Sequence, residues 1–348
     1  MTAGVPAAGV ETGVHVRGAR ELVWARLRSD RVAVGAGIVL AVVFLACFVG
    51  EPLLAWALGR GPDDIFPYAT HQTEAGPKAV GPWSWVPNTS VALERPAAAG
   101  KTLFLLGADG PLGRDELLRL LAGGRVSLEV ALGAALLAVA IGALFGALAG
   151  WFGGWVDAGI SRLTELVMAF PLLLLLIGMG QTIADRLDFV ALGWVFQPGV
   201  LSLALVIGAF TWFYPARIVR AEVLALRSRE FVDAARISGA SELRILRTHV
   251  LPHLAAPLAI WGTLIVAANV ILEAAISFLN LGIRLPTASW GNMLSQNWGT
   301  LLGYGSLAST QRTLWTQAFP TAAVFVTVLA LALLGEGVRR ALDPEGSA

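Results

Sequence analysis

Six long stretches of this sequence contain no charged residue, and these stretches constrain the fold more than any other feature. Each is long enough to supply the roughly 17–25 residues that a helix needs to cross a hydrocarbon core about 30 Å thick. Within lipid the backbone can satisfy its own hydrogen bonds only as a helix or a closed barrel, and these runs lack the alternation of barrel strands. The sequence therefore predicts an all-α membrane protein with six transmembrane helices, at residues 32–50, 130–156, 166–184, 189–216, 254–272 and 313–335.

The composition agrees with a chain that exposes much of its surface to lipid. Hydrophobic residues make up 56% of the 348 residues and charged residues only 14%, whereas soluble proteins have about 25% charged residues. The net charge of +1 produces no overall basic field of the kind that attracts nucleic acid. The lipid bilayer is thus an expected partner, and nucleic acid is not.

Arginine is concentrated beside particular runs, and this bias predicts the orientation. Five arginines precede the first run and seven lie between the fourth and fifth runs, and short cytoplasmic loops carry an excess of basic residues. Both termini and the 217–253 loop are therefore predicted to be cytoplasmic. The predicted organisation is a cytoplasmic segment at 1–31, a first span at 32–58, an external loop with a short interfacial helix at 59–125, a five-span core at 126–344 and a tail at 345–348.

The 217–253 loop has the pattern of two short helices. Val232, Ala235 and Ile237 are the apolar positions before Gly239, and apolar residues at helical spacing follow it. Ser241 is positioned to cap the second helix. We expect a helix pair hinged at Gly239-Ala240, whose small residues allow another protein to approach the backbone closely. An amphipathic loop that rests on lipid headgroups fits the same composition.

This loop resembles the "EAA" signature of importer-type ABC permeases. Asp233-Ala234-Ala235 is followed after three residues by Gly239, and after nine more by His249-Val250-Leu251-Pro252. Aspartate stands where that signature usually has glutamate. His249 takes the place of the usual isoleucine, as is common in the dipeptide/oligopeptide/nickel branch of the family.

Further segments resemble the second permease subunit of that branch, in the same order along the chain. They are Gly113-Arg114-Asp115, the segments 150–157, 169–171, 273–279 and 286–294, Gly335-Glu336-Gly337, and Ala341-Leu342-Asp343-Pro344. Asn280 departs from the pattern, which has glycine there, and segments 59–106 and 295–313 are longer than is typical. These departures affect the side on which a binding protein would dock.

The resemblance implies a non-catalytic, multi-pass subunit of the bacterial or archaeal cytoplasmic (inner) membrane. It implies three kinds of partner: a second permease in a heterodimer, two ATP-binding subunits that hold ATP and Mg, and an extracytoplasmic solute-binding protein. Peptides or similar small solutes, including nickel complexes, are the expected cargo, and this chain needs no cofactor or metal of its own. The residues expected to couple to the ATPase are Glu230, Asp233, Ala234, Ala235, Gly239, Ala240, Leu251 and Pro252.

Acidic residues near the apolar runs keep a second hypothesis open. Glu273 is either an acid in the transport pathway or a structural acid exposed or paired at a helix end, and the same alternatives apply to Glu165. A proton-coupled secondary carrier of small solutes would need one of them in the pathway. A purely structural or regulatory membrane partner would also fit the spans, but it leaves the loop signature without an explanation.

Overall fold

The computed structural model describes residues 19–73, 76–89, 100–176, 178, 199–301 and 314–342. Helices dominate these parts of the chain, and short strands occur only between the third and fourth helices. The α-helices of eight or more residues, together with the four-residue α9, are α1 Ala19–Ser29, α2 Arg31–Leu45, α3 Glu51–Leu58, α4 Glu116–Phe152, α5 Gly154–Met168, α6 Val200–Thr211, α7 Phe213–Arg227, α8 Glu230–Ile237, α9 Glu242–Ile245, α10 Ala255–Phe278, α11 Trp290–Leu301 and α12 Leu314–Leu342.

Four helical stretches of the described chain are long and apolar enough to cross a membrane. They are Arg31–Leu58, Glu116–Phe152, Glu242–Phe278 and Leu314–Leu342. Helices α6 and α7 are bent by 44° relative to each other at a short break. If the bent pair is counted as one span, it is the fifth. The predicted third span, 166–184, extends beyond the described residues, so the sixth crossing stays a prediction.

Helix α4 is the longest helix of the described chain. Its N-terminus is capped by Asp115, whose side chain accepts hydrogen bonds from the amides of Leu117 and Leu118. With 37 residues it is about 55 Å long at 1.5 Å per residue, well beyond the thickness of a hydrocarbon core. The short interfacial helix predicted at the end of the external loop 59–125 is not a separate helix, because residues from Glu116 onward are the first part of α4. Nothing interrupts the helix after the cap, and Leu118 is buried rather than laid on a membrane surface.

Helix α7 packs very closely against a stripe of glycines in α4. A Cβ atom added at Gly142 would lie 2.6 Å from Cγ of Pro215, and one at Gly150 would lie 2.8 Å from the carbonyl oxygen of Arg220. No larger residue fits such a contact without a shift of the backbone. The small-residue series Gly142, Gly146 and Gly150 therefore packs against a helix of the same chain.

Three short hairpins form a small β unit between α3 and α4. Strands β1 (Thr70–Thr73) and β2 (Gly76–Ala79) pair antiparallel, as do β3 (Ser84–Pro87) with β4 (Lys101–Phe104) and β5 (Ala108–Asp109) with β6 (Arg114–Asp115). Its apolar core includes Phe66 and Phe104, whose rings meet edge to face at 5.4 Å. The predicted external loop is thus partly a folded unit.

Buried ion pairs fasten this β unit to α4. Arg60 pairs with Asp115, while Asp109 accepts a hydrogen bond from Arg114 at 2.8 Å and forms an ion pair with Arg119 at 2.6 Å. All five side chains are almost fully buried. Burial raises the pKa of Asp115, although the Arg60 guanidinium opposes that shift. Removing one partner of such a pair typically costs about 3–5 kcal/mol, so this joint is rigid.

Candidate functional site

The segment that resembles the permease signature lies between α7 and α10. It contains α8, α9, a π-helical turn at Leu246–Val250 and a 3₁₀ turn at Leu251–Leu254. The guanidinium of Arg236 lies 5.6 Å from the ring centre of Trp151, near the end of α4. The β unit joins the opposite end of α4, so the helix separates the two by about 50 Å.

One face of α8 is anchored in an apolar cluster. Val232 is completely buried, together with Ile245 and Val250 from the segment after it. Trp151 of α4 and Val223 of α7 belong to the same cluster. The buried face therefore ties α8 to both helices, and the opposite face of α8 points away from the bundle.

The turn after α8 depends on a glycine with a left-handed backbone. Gly239 has φ +81°, and no atom lies within 4 Å of the position that a Cβ would take. Its amide donates to the carbonyl of Arg236 at 2.9 Å, and the amide of Ala240 donates to the carbonyl of Ala235 at 3.1 Å. These two bonds form a Schellman cap, in which glycine is the preferred residue. The predicted hinge at Gly239-Ala240 is thus a hydrogen-bonded turn with an open outer side.

An ion pair connects α8 to α9. Arg236 contacts Glu242 of α9 at 2.9 Å, and it also contacts Asp233 within α8 at 3.3 Å. The hydrogen bond with Glu242 raises the pKa of Arg236, so the arginine stays charged. Ser241 occupies the N-cap position of α9 as predicted, but its side chain makes no capping hydrogen bond. The Arg236–Glu242 ion pair therefore connects the two helices without a serine cap.

The structure brings most of the predicted coupling residues together on or just after α8. Glu230, Asp233, Ala234 and Gly239 are exposed, whereas Ala235 and Ala240 are half-buried. Leu251 and Pro252 are also exposed, but they lie in the separate 3₁₀ turn that leads into α10. The rings of Phe231 and His253 stack at 5.4 Å and link the two groups.

Ile237 is an exposed apolar residue of α8. Val232, Ala235 and Ile237 are all apolar positions of this helix, but the exposed fraction of Ile237 is 88%. Ile237 lies five positions after Val232, which rotates it by about 140° around a helix with 3.6 residues per turn. That rotation was a signal in the sequence. The exposed face of α8 thus presents an isoleucine beside Ala234 and Gly239.

Glu273 lies inside the helix bundle. Its side chain is fully buried five residues before the end of α10, and its Oε1 accepts a 2.7 Å hydrogen bond from Ser277. The hydroxyl groups of Ser127 and Ser289 also face this carboxyl group. This burial excludes exposure at an interface, whereas the hydrogen bond from Ser277, in the last turn of α10, agrees with pairing near a helix end. By contrast, Glu165 is exposed and pairs with Arg162 at 2.8 Å.

Two family models match this chain. The binding-protein-dependent transport system inner membrane component matches residues 142–345, and the N-terminal TM domain of oligopeptide transport permease C matches residues 20–77. The chain belongs to this family of ABC transporter permeases. The match confirms the resemblance drawn from the sequence motifs, and with the apolar helices it shows a multi-pass membrane protein.

Several curated relatives of the permease have similar sequences. A peptide permease protein of Brucella ovis is 38% identical over 238 residues, which cover 68% of this chain and 72% of the relative. A peptide transport system permease protein of Brucella suis biovar 1 is 36% identical over 242 residues, 69% and 73% of the two chains. The oligopeptide transport system permease protein OppC of Salmonella typhimurium is 37% identical over 233 residues, 67% and 70% of the two chains. These names specify peptides and do not mention nickel.

Proposed function

We propose that this permease is one of two membrane subunits of an ATP-driven importer in the cytoplasmic membrane of a bacterium or archaeon. Together with a second permease it forms an alternating-access path for peptides or similar small solutes. The observation that carries the proposal is the surface of α8. The inner face of this helix is buried in the apolar cluster, and its outer face has small residues and ends at Gly239, where the space outside the backbone is open. Such a surface suits insertion into a groove of another protein.

The anchoring of α8 supports a role in transmitting force. Its inner face is buried against Trp151 of α4 and Val223 of α7, and α10 follows directly after the same segment. A displacement of α8 by an ATPase subunit would therefore act on three membrane helices at once. Rigid-body movement of packed helices between two arrangements is an established way to switch access.

The other proposed partners follow from the separation of the two ends of α4. The ATPase subunits, which bind ATP and Mg, dock at the α8 end on the cytoplasmic side. The solute-binding protein docks on the opposite side, where the β unit lies. The permease supplies no catalytic group, and hydrolysis occurs in its partners.

We also propose a structural role for Glu273. Its Oε1 accepts a hydrogen bond from Ser277 on α10, and the carboxyl group lies near Ser127 on α4 and Ser289 just before α11. A proton-coupled carrier would need this acid, or Glu165, in contact with the transported solute. The environment of Glu273 favours a packing role instead.

Uptake by the reconstituted transporter tests the proposal. We would co-express the permease with its neighbouring permease, ATPases and binding protein, place the complex in vesicles and follow a radiolabelled tripeptide. Uptake is expected to need ATP and to persist when the proton gradient is collapsed. Uptake that continues without ATP but stops when the proton gradient is collapsed would instead establish a carrier.

A further inference from the structure

A groove of about 700 Å³ lies between α7 and α10. Its walls are mostly aliphatic and aromatic, and its edges carry the exposed side chains of Tyr214, Arg217 and Trp261. This volume is within the range of about 300–1,000 Å³ that is typical of small-molecule sites. Among the described residues that line it, Arg217 is the only charged one.

One wall of the groove is held firmly in place. The opposite face of α7, with Pro215, Ala216 and Val219, packs into the glycine stripe of α4. Tyr214 and Arg217 are three residues apart on the helix and so lie on one face. Because α7 is packed against α4, the face with Tyr214 and Arg217 has a defined position in the groove.

The two walls are connected through the proposed coupling segment. Helix α7 ends at Arg227, α10 begins at Ala255, and residues 228–254 with α8 form the link between them. A displacement of α8 relative to α4 is therefore one way to change the distance between the walls. A groove with this connection is suited to open and close with the ATPase cycle.

The polar groups of the groove leave Arg217 as the group best placed to receive a ligand. Thr211 donates its hydroxyl to the carbonyl of Ile207, and Asn269 donates to the carbonyl of Ala131. Within the described residues, the guanidinium of Arg217 has one hydrogen-bond partner, the sulfur of Met168 at 3.5 Å. A guanidinium presents five donors in a planar fork that matches a carboxylate.

We propose that this groove is part of the solute path and that Arg217 binds the terminal carboxylate of a peptide in transit. The aromatic and aliphatic walls accept varied side chains, while the arginine recognises the one group that all linear peptides with a free carboxyl terminus share. This inference rests on the proposed import function. It explains how a permease can hold chemically varied peptides by a common feature.

The test compares matched variants in vesicles that contain the complete transporter. Arg217→Gln removes the charge with similar side-chain length, and Arg217→Lys keeps the charge without the fork. Arg162→Gln is the control, because Arg162 is an 84% exposed arginine on α5. The probes are radiolabelled tri-alanine and its C-terminal amide, and each uptake is divided by the binding protein's own affinity for that probe.

Arg217→Gln should lower tri-alanine uptake per ATP hydrolysed by about tenfold, the effect of losing one charge-assisted hydrogen bond. After division by the binding protein's affinity, the wild type should take up tri-alanine in preference to its C-terminal amide. This preference should disappear in Arg217→Gln. Arg217→Lys should retain part of both, and Arg162→Gln should behave as the wild type.

Three results would overturn the inference without affecting the proposed function. Normal uptake and a normal preference for the acid in Arg217→Gln would place the carboxylate elsewhere. The variant could lose the second permease in pull-down, which would make Arg217 an assembly residue. Its defect could disappear in vesicles without anionic lipid, which would identify a lipid phosphate as the ligand. Absence of ATP-dependent uptake by the wild type would instead refute the proposed function itself.

Discussion

Gly239 offers the sharpest test of the proposed coupling surface, because its environment separates backbone strain from contact with a partner. Its φ of +81° lies in the left-handed region, and the space around a Cβ is empty. A substituted side chain therefore meets no atom within the chain. The only cost to stability is the strain of a left-handed backbone in a residue with a Cβ, about 1 kcal/mol for alanine. Asparagine and aspartate tolerate this region better. All three variants are expected to insert in the membrane normally.

The effect on ATPase binding should differ strongly among these variants. If a partner groove covers Gly239, then Gly239→Asp buries a carboxylate without a counter-ion, on a face that already carries Glu230 and Asp233. An unpaired charge at an interface costs about 3 kcal/mol, or about a hundredfold in affinity. Gly239→Asn has the same shape without the charge and should lose about tenfold. Gly239→Ala should lose the least.

Affinity of the purified ATPase for the detergent-solubilised permease pair would be measured by biolayer interferometry, with membrane level checked by immunoblot. The expected order of affinity is wild type, alanine, asparagine, aspartate. Binding of Gly239→Asp within twofold of wild type would refute the reasoning, since it would show that no partner covers this turn. Equal losses for asparagine and aspartate would refute the electrostatic part alone.

Other parts of the structure lead to further expectations. Gly146→Ala should destabilise the detergent-solubilised protein by about 1–3 kcal/mol, because its Cβ would overlap the carbonyl oxygen of the α7 residue that faces it. Gly159→Ala, with open space around it, should stabilise by about 0.5–1 kcal/mol; equal melting temperatures for the two variants would contradict the packing argument. Glu273→Gln keeps a hydrogen-bond acceptor for the serines and should preserve ATP-dependent uptake, and loss of uptake at a normal membrane level would contradict a structural role. Hydrogen bonds from Arg220 hold the pKa of Asp157 below its ordinary 3.8, so this pair stabilises the fold above about pH 4 and its contribution fades as the pH falls further. Asp157→Asn should lower stability by about 0.5–1 kcal/mol at neutral pH and weaken that acid dependence in thermal melts; an unchanged acid profile would contradict it.

The membrane-spanning helices could be predicted from the sequence because lipid imposes a simple local condition. A run of 19 or more residues without charge, such as 32–50 or 254–272, has few alternatives to a helix in hydrocarbon. The helices found at Arg31–Leu58 and Glu242–Phe278 contain these runs. The helix pair around Gly239 could also be predicted from the sequence, since a glycine at a helix cap and the spacing of apolar residues are both local signals.

Helix boundaries were less predictable where tertiary contacts extend a helix. The segment 114–125 has an amphipathic pattern, which alone indicates a surface helix. Its polar residue Arg119 is instead buried by an ion pair with Asp109, ten positions earlier in the chain. That pairing requires the β unit to be folded. The sequence pattern of the helix alone therefore cannot show that Arg119 is buried.

The sequence by itself determined where the chain enters lipid, which loop carries the permease signature and to which family the chain belongs. Only the tertiary structure decided which helix the glycine stripe of α4 contacts and that Arg217 borders a groove. The physical reason is that span prediction depends on hydrophobicity summed along the chain, whereas these features depend on the rotation of each helix about its axis. Rotation is set by contacts between residues distant in sequence, such as Gly142 with Pro215.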